Sequence, residues 1–159
     1  EVASGTSKQV AFRKEDGTLS KVNVKIPPGI SAGKKLRIPG RGQQGGSGVP
    51  PGDLYIRISV TDHPVFTREG SDLLLDKELS FTQAALGSTV EVTTFDGIRK
   101  VRVPAGTQSH SKIRLKGYGL PHFKGKGKGN LYLRIIVAVP THLDKKQREL
   151  LGELVKEGL

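Results

Sequence analysis

Along most of this chain the apolar residues recur at every second position. Ser7 to Phe12 places Lys8, Val10 and Phe12 on one face, Val22, Val24 and Ile26 alternate, and Leu54, Ile56, Ile58 and Val60 alternate with Tyr55 and Arg57 on the opposite side. A period of two marks a half-buried strand, because successive side chains leave opposite faces of a pleated backbone. The pattern returns from Leu73 to Phe81, runs on to Val92, and recurs at Val101 and Val103, at Ile113 and Leu115, and from Leu131 to Val139; Lys35 to Ile38 reads as one more short strand. Pro27-Pro28-Gly29 ends a run, since proline lacks the ladder donor and glycine tolerates the turn. Asp16-Gly17, within Arg13 to Thr18, and Asp96-Gly97 read as hairpin turns, and Asp62 to Gly70 as a connector. Helical spacing is confined to Thr82–Leu86, one turn stopped by Gly87, and to Leu143, Leu150, Leu151, Leu154 and Val155, where Thr141 with Asp144 resembles a capping box and Gly158 suits the end.

The pattern occurs twice. Val24 to Val60 lies on Val101 to Val137 without a gap, and 14 of the 37 aligned pairs are identical, against roughly two or three at ordinary composition. Lys35-Leu36-Arg37 falls on Lys112-Ile113-Arg114, Gly40 and Gly42 on Gly117 and Gly119, and Gly52-Asp53-Leu54-Tyr55 on Gly129-Asn130-Leu131-Tyr132. A looser alignment sets Ala3, Gly5 and Val10 on Ala85, Gly87 and Val92, so copy one has the longer hairpin and begins partway through its repeat. It is expected to lack the edge strand that Leu73 to Phe81 supplies to copy two, and the chain is expected to be a piece of something longer. The expected fold class is mainly β: two tandem small β-sandwich or barrel-like domains of similar topology plus a C-terminal α-helix. The expected division is 1–66, 67–140 and 141–159.

Composition narrows the function. With 35% hydrophobic residues no run approaches a membrane span, and the start lacks a signal-peptide pattern, so a cytoplasmic protein without membrane partners is expected. There is no cysteine, which excludes disulfides and thiolate metal sites. His63, His110, His122 and His142 stand alone as loop or surface residues, the acidic residues mark turns, and no nucleophile or acid/base pair is spaced for work. Pro39 to Gly52 lacks the Gly-Lys-Ser/Thr of a phosphate loop and reads as a mobile loop. The expectation is a protein that is not an enzyme and holds no cofactor. A formal charge of +11, with a local cluster at Lys124, Lys126 and Lys128, keeps DNA open as a partner.

Differences between the copies point to the function. Lys8 aligns with Val90 and Phe12 with Thr94, while Val10 and Val92 agree. An aromatic present in one copy only is a candidate surface contact, or else fills a gap peculiar to that copy. If Phe12 and Phe66 lie at the open edge of copy one, they border an apolar groove able to pair with an extended peptide. The leucines of the tail, Leu150, Leu151 and Leu154, either pack back on the second domain or form a dimer contact.

Val24-Lys25-Ile26-Pro27-Pro28-Gly29, Gly40-Arg41-Gly42, Gly52-Asp53-Leu54-Tyr55, His63-Pro64-Val65-Phe66, Arg68-Glu69-Gly70-Ser71-Asp72-Leu73 and Ala85-Leu86-Gly87 together resemble the C-terminal substrate-binding region of DnaJ-type (J-domain) co-chaperones. The resemblance implies two β-sandwich-like barrels, a peptide groove on the first, and a C-terminal helix that pairs subunits into a dimer. It carries the groove onto Lys8, Val10, Phe12 and Phe66, and gives Lys8 a role toward the acidic tail of a heat-shock partner. Unfolded clients and a DnaK-type ATPase are the implied partners. The His-Pro-Asp triplet of a J domain is absent, so these residues are not expected to stimulate that ATPase by themselves, and the lack of cysteine matches the zinc-free class.

Overall fold

The computed structural model describes residues 1–13, 17–43, 49–123 and 125–158. Asp16 of the expected first turn, the middle of the glycine loop and Lys124 lie outside the described residues. The order is β1 (Thr6–Arg13), β2 (Leu19–Ile26), β3 (Lys35–Ile38), β4 (Leu54–Arg57), β5 (Thr67–Glu69), β6 (Asp72–Ser80), α1 (Phe81–Leu86), β7 (Ser88–Thr94), β8 (Gly97–Val103), β9 (Lys112–Leu115), β10 (Leu131–Ala138) and α2 (Lys145–Lys156). The protein is mainly β, in three two-stranded sheets, β1-β2, β3-β4 and β7-β8, and one sheet of order β5-β6-β10-β9; no closed barrel forms among the described residues. Among the described residues no helix is long and apolar enough to cross a membrane.

The repeat becomes an element-by-element correspondence. β1 and β2 match β7 and β8, β3 matches β9, and β4 matches the first half of β10. Shared residues make the same bonds in each copy. Gly42 N–H donates to Gly52 O and Gly52 N–H to Gln43 O at 2.7 and 2.8 Å, while Gly119 N–H donates to Gly129 O and Gly129 N–H to Leu120 O, both at 2.9 Å. These reciprocal pairs pinch the base of each glycine loop. The side chain after the second glycine then holds the preceding turn: Asp53 Oδ1 accepts from Gly40 N–H at 3.1 Å, and Asn130 Oδ1 from Gly117 N–H at 3.3 Å. Ile58 N–H and O engage Lys34 O and Gly33 N–H, as Ile135 engages Ser111 O and His110 N–H. His110 occupies, at φ 67°, the left-handed position that Gly33 holds at 80°.

Two compact units result. One comprises Glu1–Leu75, Thr93–Gly97 and Arg114–Leu133, and its core is built on Ile30, Leu131 and Leu133, with no exposed surface, beside Leu73 and Leu120. Within it Arg68 donates to Ile30 O at 2.8 Å, Gly29 O at 2.9 Å and Gly70 O at 2.7 Å, closing the Pro-Gly turn of copy one. Partial burial of the guanidinium lowers its pKa from the ordinary arginine value. The other unit comprises Asp76–Val92, Ile98–Ile113 and Arg134–Leu159, with Leu79, Val92, Val103 and Ile135 buried.

Three local expectations are revised. The connector from Asp62 to Gly70 contains β5, which pairs antiparallel with β6 through a turn in which Gly70 takes φ 65°. β4 ends at Arg57 instead of continuing to Val60. The cap of α2 is Asp144, whose side chain accepts from Gln147 N–H at 2.7 Å while Gln147 Oε1 accepts from Asp144 N–H at 3.0 Å; Thr141 bonds the His142 ring instead. A capping box needs an amide or carboxylate three residues after the cap, which Gln147 supplies to Asp144.

Candidate functional site

Strand alternation brings Lys8, Val10 and Phe12 onto one face of β1, opposite Val24, Val22 and Ser20 of β2. Val10 and Phe12 are half-buried, and the Lys8 side chain is 52% exposed with its Nζ 2.8 Å from Glu1 Oε2. That hydrogen bond, reinforced by the ammonium charge, lowers the pKa of the Glu1 carboxyl. The corresponding face of β7 is sealed: Val90, Val92 and Thr94 retain 6%, 1% and 6% exposure. Thr94 reaches that burial by donating to Gly97 O at 2.6 Å and accepting from Asp96 N–H at 3.2 Å, bonds that fit the tight copy-two hairpin. A lysine in place of Val90 forbids an equal seal in copy one, because an ammonium buried without a partner costs several kcal/mol, on the order of the penalty for any desolvated ion. The β1 face is therefore open, with a charge at one end and apolar surface along the rest.

Phe66 is placed differently. It is buried to 8% exposure, its ring centroid 5.1 Å from those of His63 and of Phe95 in the copy-two hairpin turn. His63 Nδ1 accepts from Val65 N–H at 3.1 Å and Phe66 N–H at 3.3 Å, fixing the turn that aims the ring. Val65 and Phe95 keep 53% and 47% exposure, so the accessible apolar surface at this point is theirs. The sequence singled out Phe66 through its motif but missed Phe95, whose only signal was an aromatic beside Asp96-Gly97.

The remaining candidates sit apart in the chain. Lys128 Nζ is held by both carboxylate oxygens of Asp96, at 2.9 and 2.8 Å, and Lys126 is exposed. On α2 no described residue is buried: Leu150 and Leu154 are 47% and 40% exposed and Leu151 is half-buried. No group of three or more metal-ligating side chains occurs among the described residues.

Fold and site define a duplicated β-module whose copies share a hydrogen-bonded scaffold and differ in whether one hairpin face is sealed. The chain belongs to the DnaJ C terminal domain family, whose profile matches residues 1–140. It is 51% identical over 134 residues to the chaperone protein DnaJ of Methanothermobacter thermautotrophicus, covering 84% of this chain and 36% of that protein. It is 48% identical over 136 residues to the chaperone protein DnaJ of Clostridium perfringens, covering 86% and 35%. The one from Acetobacter pasteurianus is 46% identical over 138 residues, covering 86% and 36%. The chain thus spans about a third of the length of the curated relatives it matches.

Proposed function

We propose that this chain is the polypeptide-holding region of a cytoplasmic co-chaperone: it binds unfolded, apolar-rich segments along the open face of β1 and delivers them to a DnaK-type ATPase, without catalysis or a cofactor. The observation that carries this is the contrast between the copies, a half-exposed Lys8, Val10 and Phe12 where copy two buries Val90, Val92 and Thr94. An extended client laid along β1 meets apolar side chains at alternate positions and a cation at one end, which orients it. Residues 1–66 then act as the client module, with Phe66 as the floor beneath Val65 and Phe95, residues 67–140 as the second module, and 141–159 as the helix. The exposed stripe of Leu150 and Leu154, with Leu151, supports pairing of two copies through α2. DNA binding is not carried forward: Lys128 is engaged by Asp96, and the relatives are chaperones by name.

Exchanging Val10 and Phe12 together for serine tests the site. Each half-buried side chain contributes roughly 1 kcal/mol of apolar contact, so affinity for a permanently unfolded, fluorescently labelled polypeptide should fall by about 30-fold. Unchanged affinity in a variant that still unfolds cooperatively removes the assignment.

A further inference from the structure

Among the histidines, His63 makes bonds that only a neutral ring can make. His122 Nδ1 and His142 Nδ1 each lie 3.0 Å from a hydroxyl oxygen, of Ser71 and of Thr141, and a hydroxyl serves a protonated nitrogen as well as a bare one. His63 Nδ1 instead faces two donors, Val65 N–H at 3.1 Å and Phe66 N–H at 3.3 Å. A backbone amide can only donate, so a proton on Nδ1 sets three N–H groups against one another and leaves the part-buried Phe66 N–H without its acceptor. The charges around the ring do little to offset this. The ring packs on Phe66 at 5.1 Å and on Phe95 at 6.0 Å, all within one compact unit. Asp96, next to Phe95, has both carboxylate oxygens taken by Lys128 Nζ. On the connector itself Asp62 is exposed to water, and Arg68 is turned away to the carbonyls of Gly29, Ile30 and Gly70. The two phenyl rings offer an imidazolium some cation–π attraction, which is small at an exposed site and supplies no acceptor.

We infer that His63 is a proton-operated latch on the Val65–Phe66 turn. Neutral, it holds the Phe66 ring at 8% exposure; protonated, it releases the turn, and that ring joins Val65 and Phe95 in the accessible apolar surface. The closed turn binds one proton fewer than the open one, so closure is favoured as pH rises and lost as pH falls. With a released imidazole titrating near about pH 6.5, the ratio of open to closed turns rises by about 10-fold between about pH 7.5 and about pH 5.5. The added apolar surface ties the holding of unfolded chains to acidification. That consequence rests on the client reading, whereas the latch does not.

Amide exchange of the full chain, corrected for the intrinsic rate at each pH, reads the latch. Protection at Phe66 N–H should fall by about 10-fold across that interval, while Leu131 and Leu133 in the core keep theirs. His63→Asn retains an acceptor without a titrating ring, so its protection at Phe66 should be the same at both ends; His63→Phe should be poorly protected at both. No fall in wild type, or an equal fall in His63→Asn, overturns the proposal. Wild type alone also decides it: the His63 ring-nitrogen shifts and the Phe66 amide should titrate together, and a protonated ring beside a still-protected Phe66 sinks the latch. Affinity for the labelled unfolded polypeptide should rise by about 3-fold on the same acidification in wild type and not in His63→Asn. An opened turn with no rise in affinity overturns the regulatory role, and a Val10/Phe12 double serine variant that binds like wild type removes the client reading while leaving the latch in place.

Discussion

Replacing His63 by alanine removes one acceptor and one ring from the turn that carries Phe66. Val65 N–H is exposed and finds water, but Phe66 N–H is part-buried and loses its acceptor, a cost of about 1 kcal/mol. Loss of the ring contacts to Phe66 at 5.1 Å and Phe95 at 6.0 Å adds about 0.5–1 kcal/mol. The total of about 2 kcal/mol should lower the urea midpoint by about 1 M at an ordinary slope. Asparagine, whose side-chain oxygen also accepts from N–H groups two and three residues on, should restore about half of the loss; phenylalanine keeps a ring but no acceptor and should restore less. Because Nδ1 accepts, the ring proton belongs on Nε2, which nitrogen chemical shifts read directly. A His63→Asn protein no more stable than His63→Ala, or a proton found on Nδ1, refutes the assignment.

Gly119→Ala should destabilise by about 1–3 kcal/mol through steric crowding alone, since an added Cβ would lie 2.6 Å from Ser71 O and from the Gly129 carbonyl carbon. Gly117→Ala, in open space but at φ 79°, should cost about 1 kcal/mol from backbone strain; equal, negligible losses in urea melts would contradict both. Arg134 lowers the Asp76 carboxyl below its ordinary pKa, chiefly through their hydrogen bond. A depressed folded value means stability present above the unfolded value and lost as pH falls through the folded one, so wild type should lose more than Asp76→Asn on acidification below about pH 4. The pair is largely solvent-exposed and the difference should stay under about 1 kcal/mol; parallel acid profiles would discard it. Val90→Lys should cost about 3 kcal/mol or more while the repeat-equivalent Lys8→Val costs little, and similar melting temperatures for the two variants would mean that the β1 face is not open.

The fold was legible where the period was two and where the repeat could be checked against itself. β5 escaped because Thr67-Arg68-Glu69 is short and polar, and its strand character comes from pairing with β6. Arg68 was visible only as part of a motif: its guanidinium binds carbonyls at Gly29 and Ile30, far away in sequence, and nothing local announces that. Of the candidate site, the shared face of Lys8, Val10 and Phe12 on β1 was legible, because alternation alone puts them together. Phe66 shows the limit of the same reasoning, since its burial depends on Phe95, an aromatic from the other repeat that no periodicity links to it.

Duplication supplies the internal control that makes those differences interpretable. Both copies close their glycine loops with the same reciprocal bonds and hold the preceding turn with Asp53 or Asn130, so a change elsewhere cannot be ascribed to a different scaffold. Against that constant frame, Val90 to Lys8 converts a core position into a charged rim, and Thr94 to Phe12 removes a residue whose hydroxyl serves its own hairpin turn in copy two. Neither change helps copy one bury its face, and a lysine there works against burial. The β1 face of copy one thus keeps Val10 and Phe12 half-exposed where copy two buries Val92 and Thr94, and that apolar surface is the one difference between the copies that a bound chain could stabilise by covering it.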